Sequence, residues 1–175
     1  MKEKEKVAMR QSHFRFILQQ GFEAADANES LYTALMVQPR IIGGLVAVGV
    51  LFQSAWLFLA LSAVLLWSTL APMLNPFDVL ANYLVARPRG IPPLGIAPGP
   101  RLFAQGMSTT VTFAIGVALL AGAERTAWLF EGLMVTAVMA VVFGDFCEGA
   151  YLYGLVRRRT RHQAGTAGDL LGNVK

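Results

Sequence analysis

The side chains that could carry chemistry are few. The chain has one cysteine, Cys147, and two histidines, His13 and His162, among 175 residues. A single cysteine excludes an internal disulfide and a metal site built from several cysteines. Both histidines lie in polar terminal segments, so the apolar segments have no histidine to ligate haem iron or a chlorophyll-type metal. We therefore expect neither a cofactor nor a bound metal.

Three acids occur in or beside the apolar segment that follows Glu124, namely Glu131, Asp145 and Glu148. Carboxylates at membrane depth are costly and often act as proton carriers or ion ligands. If the chain folds back at Glu124, however, Arg101 comes close to Asp145 and Glu148. The sequence therefore predicts a structural ion pair of Arg101 with these two acids in preference to a transport site.

Motifs of the common enzyme classes do not occur in the sequence. We find no glycine-rich nucleotide loop, no His/carboxylate cluster with metal-ligand spacing and no Ser-His-Asp set. With two histidines and one cysteine, such sites would have few residues to draw on. The sequence thus predicts a protein that is not an enzyme and has no catalytic residues.

The composition is that of a membrane protein. Hydrophobic residues make up 55% and charged residues only 15%, and the mean hydropathy is +0.50, which is too apolar for an ordinary soluble domain. The net charge of +4 lies almost wholly in the two ends and one internal loop. That distribution suits contact with anionic lipid, so we expect a lipid bilayer and other membrane subunits as partners and no nucleic acid.

The run from Ile41 to Ala71 carries no charged residue. As one straight helix it would measure about 46 Å, whereas the hydrocarbon core of a bilayer measures about 30 Å. A strongly tilted helix and a hairpin that turns near Gln53-Ser54 both accommodate the run. The hairpin is favoured because it puts all three Arg/Lys-rich segments on the cytoplasmic side.

These patterns predict an all-α integral membrane fold with four transmembrane helices arranged as two hairpins. The predicted spans are about 35–53, 55–74, 102–121 and 126–152, within a membrane domain at 30–156. An interfacial helix at about 76–86 and a Pro/Gly-rich cytoplasmic loop at 87–100 join the hairpins. A basic tail or surface helix at 1–29 and a basic mobile tail at 157–175 flank the domain. We expect a multi-pass protein of the bacterial cytoplasmic (inner) membrane with both termini cytoplasmic.

Small residues recur at every fourth position on the third and fourth predicted spans. The rows are Ala104, Ser108, Thr112 and Gly116, and then Gly132, Thr136, Ala140 and Gly144. In lipid, rows of small residues mark the faces where helix backbones approach closely. A turn at Glu124 would make the two rows face each other in antiparallel order, with Gly116 against Gly132 and Ala104 against Gly144.

Three segments resemble a family of small bacterial four-span membrane proteins of unknown function. They are Gln38-Pro39-Arg40, Arg101-Leu102-Phe103-Ala104-Gln105-Gly106 and Phe146-Cys147-Glu148-Gly149-Ala150. The family shows R-F-A-Q-G at the start of the third span and F-C-x-G-C near the end of the fourth, and the resemblance covers about residues 31–157. Its paired cysteines imply thiol redox work, but here Ala150 replaces the second one. The mixed disulfide that Cys147 could form would then have no internal resolving thiol.

The first functional hypothesis is an accessory or assembly subunit of a larger bacterial membrane complex, of the respiratory or photosynthetic type. Two alternatives stay open. One is a thiol-redox protein that uses Cys147, the candidate redox thiol, with a cysteine of a partner protein. The other is a small homo-oligomeric transporter that uses Glu131 or the Asp145/Glu148 pair.

Overall fold

The computed structural model describes residues 10–157 and residue 159, and these residues form helices joined by turns. The predicted tail residues at 1–9, 158 and 160–175 lie outside the described part. The main helices are α1 (Gln11–Gln19), α2 (Glu29–Leu35), α3 (Val37–Phe52), α4 (Ala55–Leu70), α5 (Pro76–Ala81), α6 (Gly99–Leu120), α7 (Glu124–Gly144) and α8 (148–157).

Three stretches of the described chain are helical, long and apolar enough to cross a membrane. They are Glu29–Phe52, Gly99–Leu120 and Glu124–Gly144. Helix α4, Ala55–Leu70, is apolar but shorter than these. The protein is thus helical and membrane-like in character.

The long apolar run is two helices, and the interruption lies at Gln53 and Ser54. Gln53 adopts a left-handed conformation with φ of 45°, which ends α3. The Ser54 side chain then caps α4 by accepting a hydrogen bond from the backbone N–H of Leu57. Serine is a favoured N-cap residue because its oxygen satisfies an N–H group that the first helical turn leaves unpaired.

Helix α5 begins as its sequence predicts. Asn75 caps it by accepting from the backbone N–H of Phe77, and Pro76 occupies its first turn. A π-helical segment, Asn82–Ala86, and a short helical turn, Arg87–Arg89, continue the chain. Phe77, Asp78 and Ala81 are buried, so this helix packs one face onto its own chain.

One hydrophobic core joins the long helices. Its buried members come from α3 to α7: Ile42, Val46, Phe58, Leu61, Leu65, Phe77, Ile115 and Met134. A second cluster packs α1 against α2 through Phe16, Ile17, Leu35 and Met36. The start of the chain was expected as a tail or a surface helix, and its described part from Gln11 onward contains a helix with two side chains fully buried.

Gly116 on α6 packs against α4, so the prediction that it faces Gly132 on α7 is wrong. A Cβ placed on Gly116 would lie 2.7 Å from Leu59 Cγ and 3.2 Å from the carbonyl oxygen of Ala55. About two turns away along α6, on the same interface, Ser62 Oγ donates to the carbonyl oxygen of Thr109 at 3.1 Å. Glycine at position 116 therefore lets α4 approach the backbone of α6.

The row on α7 lies open. A Cβ on Gly132 or Gly144 would meet no atom of the described chain within 4 Å, and Thr136 is exposed while Ala140 is partly exposed. Ala104, which was expected opposite Gly144, instead contacts Gly149, where an added Cβ would lie 2.8 Å from the Ala104 Cα. The row of small residues on α7 thus lies on the outside of the described helix bundle.

Helix α7 ends earlier than its sequence suggests. Asp145 adopts a left-handed conformation with φ of 52°, which aspartate tolerates better than most residues. The backbone N–H of Phe146 donates back to the carbonyl oxygen of Ala140. Residues 145–147 are not helical, and α8 starts at 148, so the predicted span at 126–152 is interrupted there.

Candidate functional site

A buried ion pair lies where α6 begins. Arg101 is 5% exposed, and its Nη1 donates to Asp78 Oδ2 at 3.2 Å while its Nη2 contacts Asp78 Oδ1. The predicted partners Asp145 and Glu148 are therefore wrong. The chain between α5 and α6 brings the first turn of α5 against the first turn of α6, which places Asp78 within reach.

The carboxylate of Asp78 has a further donor. Asn75, which is fully buried, donates from Nδ2 to Asp78 Oδ2 at 3.0 Å. A buried charge pair is stable only if its geometry is good and its remaining lone pairs find donors. The Asn75 side chain thus caps α5 with its oxygen and supports the ion pair with its nitrogen.

Two buried glutamines extend the ion pair into the helix bundle. Gln38 Oε1 accepts from Arg101 Nη2 at 2.9 Å and from Gln105 Nε2 at 3.1 Å. We call Asp78, Arg101, Gln38 and Gln105 the Arg101 network. Gln105 Oε1, the last atom of the network, is buried and has no hydrogen-bond partner in the described chain.

The Arg101 network borders a cavity of about 170 Å³ between α3, α6, α7 and the 147–149 segment. Its walls are mostly aliphatic and include Ile42, Val111, Met134 and Val138, and its polar wall residues include Gln38, Arg101, Gln105, Cys147 and Glu148. All three segments that carry the sequence resemblance thus contribute to the walls of a single cavity.

Cys147 is held in the cavity wall through its backbone. Its N–H donates to Gln19 Oε1 and its carbonyl oxygen accepts from Gln19 Nε2, both at 3.0 Å. The thiol is partly buried and not in a disulfide. Ala150 is 3% exposed, so the position where the resembled family carries a second cysteine is a buried methyl group here.

Asp145 belongs to a second polar cluster, which joins α1 and α2 to the end of α7. The Tyr32 hydroxyl donates to Asp145 Oδ1, and the ring of His13 stacks on the ring of Tyr32 with centroids 3.7 Å apart. His13 Nδ1 lies 2.9 Å from Glu29 Oε2, and its Nε2 lies 3.8 Å from Asp145 Oδ2. The structure thus gives Asp145 a set of partners on the first two helices.

Glu131 lies at the opposite end of the helix bundle. It is 5% exposed and accepts hydrogen bonds from Gln53 Nε2 at 3.2 and 3.1 Å. Glu131 therefore ties α7 to the turn between α3 and α4. Among the described residues no three His, Cys, Asp or Glu side chains are grouped so that they could hold a metal ion.

The contacts of Asp78 and Gln38 with Arg101 are the part of the network that sequence reasoning missed. Asp78 reads in the sequence as a helix-start residue, since acids are favoured in the first turn of any helix. The polar start of the third predicted span, which includes Gln105, was the available signal. The two amides and the Arg-Asp pair are hydrogen-bonded to one another beside a mostly apolar cavity.

No curated protein and no solved structure matches the chain. A family model does match, over residues 34–158, and that range includes the Arg101 network, helices α3 to α7 and all of the cavity walls except Phe16 and Gln20. The family is described as a domain of unknown function, DUF4395. Because the match covers well over half of the sequence, the chain belongs to this family.

Proposed function

We propose that this protein is a non-catalytic, multi-pass membrane protein that serves as an accessory or assembly subunit of a larger bacterial membrane complex. The observation that carries the proposal is the exposed row of small residues on α7, namely Gly132, Thr136, Ala140 and Gly144. Of the three stretches that could cross a membrane, this helix is the least covered by its own chain. In its most apolar part, 17% of the residues are buried by the rest of the chain, against 33% in each of the other two stretches.

The exposed row is suited to a second helix. Lipid tails are as apolar as leucine, so helices in a bilayer associate through close packing over small residues. The hydroxyl of Thr136 already donates to the carbonyl oxygen of Gly132 at 2.7 Å. A partner helix could therefore pack on this row without leaving the Thr136 hydroxyl group unpaired. This supports a protein contact at this face.

The same proposal includes four crossings. Helix α4 has 16 residues and a length of about 24 Å, which is short for a hydrocarbon core of about 30 Å. Local thinning of the bilayer or packing against a neighbour accommodates such a mismatch at modest cost. Four crossings would leave the basic termini and the Arg87–Arg89 turn together on the cytoplasmic side of the inner membrane, as the positive-inside rule favours.

The contacts of the acids give the transporter alternative less support. Glu131 is held by Gln53, and Asp145 by Tyr32, so both have structural partners within the chain. The thiol alternative depends on a cysteine from another protein, because Cys147 is the only cysteine of the sequence. A respiratory or photosynthetic complex is the host that we propose to look at first.

The test is extraction of the tagged full-length chain from native bacterial membranes in a mild detergent. The extract is resolved on a native gel, and each band is identified by mass spectrometry. We expect stoichiometric migration with other membrane subunits. A monodisperse free monomer would contradict the proposal, and a small homo-oligomer without other subunits would favour the transporter instead.

A further inference from the structure

We propose that the outer face of the segment 73–89 binds anionic phospholipid, with its apolar side chains among the acyl chains and with Arg87 and Arg89 against the headgroup phosphates. This surface goes beyond the subunit role proposed above and does not depend on it. The placement of polar and apolar side chains, the size of the exposed side chains and the two arginines each support the proposal.

The segment has polar side chains on its inner face and apolar side chains on its outer face. Asn75 and Asp78 are buried and hydrogen-bonded to each other. The exposed positions before Arg87 recur at the three- and four-residue spacing of one helix face, and they are Met73, Leu74, Pro76, Val79, Leu80, Tyr83 and Leu84. A continuous exposed apolar face of this kind marks a contact with a membrane or with another protein.

The size of the exposed side chains favours lipid over a partner helix. Helices in a bilayer associate over small residues, because these let the two backbones approach closely. Between Met73 and Arg89, no exposed position carries Gly, Ala, Ser or Thr, in contrast to the open row on α7. Flexible acyl chains can fill the spaces between large side chains, so the outer face of this segment is suited to lipid.

Two arginines follow the apolar face. Arg87 and Arg89 are exposed, and neither pairs with a carboxylate in the described part of the chain. Arg87 Cζ lies 6.0 Å from the centroid of the Tyr83 ring. Arginine and tyrosine side chains have an apolar body and a polar end, so they suit the level where acyl chains meet headgroups. Two positive charges at this level favour an anionic headgroup over a zwitterionic one.

The test measures lipid binding to the purified full-length protein by native mass spectrometry. Phosphatidylglycerol, which is anionic, and phosphatidylcholine, which is zwitterionic, are titrated separately with the same acyl chains. We expect phosphatidylglycerol to bind more tightly to the wild type. The double substitution Arg87→Gln with Arg89→Gln should weaken its binding by about fivefold for each arginine, and the binding of phosphatidylcholine should be unchanged.

Two further variants serve as controls. Arg125→Gln removes an exposed arginine at the start of α7, outside the proposed surface, and should leave the preference for phosphatidylglycerol unchanged. Arg87→Lys with Arg89→Lys keeps both charges and should retain the preference. The proposal is overturned if the wild type does not prefer phosphatidylglycerol, or if Arg125→Gln weakens its binding as much as the double substitution to glutamine.

A photocrosslinking probe in living cells tests whether lipid or protein covers the apolar face. p-Benzoylphenylalanine replaces Leu84, which is 55% exposed, and the products are identified by mass spectrometry. We expect phospholipid adducts of the full-length chain. A discrete crosslink to another protein from position 84, or no lipid adduct there, would overturn the proposal.

Discussion

Helices α6 and α7 carry the same spacing of small residues and use it differently. On α6, Thr112 and Gly116 are buried, and Gly116 gives α4 access to the helix backbone, with Leu59 in the space that a side chain would occupy. On α7 the row is open, and added Cβ atoms at Gly132 and Gly144 would meet nothing in the described chain. A four-residue spacing of small residues therefore marks a contact face without specifying the helix, or the chain, that packs on it.

Helix α6 also carries Arg101 of the buried ion pair. We expect the largest loss of folding free energy when this pair is broken. Asp78→Leu leaves the Arg101 guanidinium buried without its counter-charge, which costs about 3–5 kcal/mol of folding free energy. The measurement is reversible unfolding of the purified protein in mixed micelles. Adding Arg101→Met to the first substitution removes the stranded charge and should restore most of the stability.

The control for Asp78→Leu is the same substitution at the other predicted partner of Arg101, Asp145→Leu. Asp145 has Tyr32 as its hydrogen-bond partner and does not pair with Arg101, so its loss should cost less than the loss of Asp78. A larger loss of stability for Asp145→Leu than for Asp78→Leu would contradict the assignment of the ion pair.

Gly116→Leu and Gly132→Leu compare the two rows directly. The first forces α4 away from α6, because Leu59 and the Ala55 carbonyl occupy the space, and overpacking of this kind costs about 1–3 kcal/mol. The second points into open space and should leave the unfolding free energy of the isolated chain unchanged. Equal losses in the unfolding experiment would mean that both rows are packed within one chain.

We expect the smallest difference in unfolding free energy when a hydroxyl group is removed from the interface of α4 with α6 or from the open face of α7. Ser62→Ala removes the hydrogen bond to the carbonyl oxygen of Thr109 and should cost about 0.5–1 kcal/mol. Thr136→Ala removes only a bond from the side chain to its own helix backbone, so we expect no measurable change in the unfolding of the isolated chain. A larger effect at Thr136 than at Ser62 would show that α7 has an unrecognised contact within the chain.

Local features were predictable from the sequence, and partners between helices were not. The helix interruption at Gln53-Ser54 was favoured by the length of the apolar run and by the distribution of Arg and Lys around it. The start of α5 depends on neighbouring residues, so the capping preference of Asn75 and the position of Pro76 were enough to locate it. The partner of Arg101 depends on how the chain between α5 and α6 folds back. An acid in a first helical turn, such as Asp78, looks the same whether it is exposed or paired.

The cavity was not predictable because its walls come from segments far apart in the sequence. Gln38, Gln105 and Cys147 are brought together only by the packing of α3, α6 and the residues after α7. The polar start of the third predicted span indicated that Gln105 was unusual. The orientation of the Gln105 amide, with its oxygen unpaired, can be assigned only when the contact of Gln38 with Arg101 is known.

The most direct test of the subunit proposal is photocrosslinking in living cells with p-benzoylphenylalanine. One probe replaces Thr136 on the open row of α7, and the control replaces Leu66, which is 48% exposed on α4. We predict a discrete crosslink to another membrane protein from position 136 and none from position 66. The absence of a crosslink at position 136, or the same products from both positions, would contradict a specific subunit contact on α7.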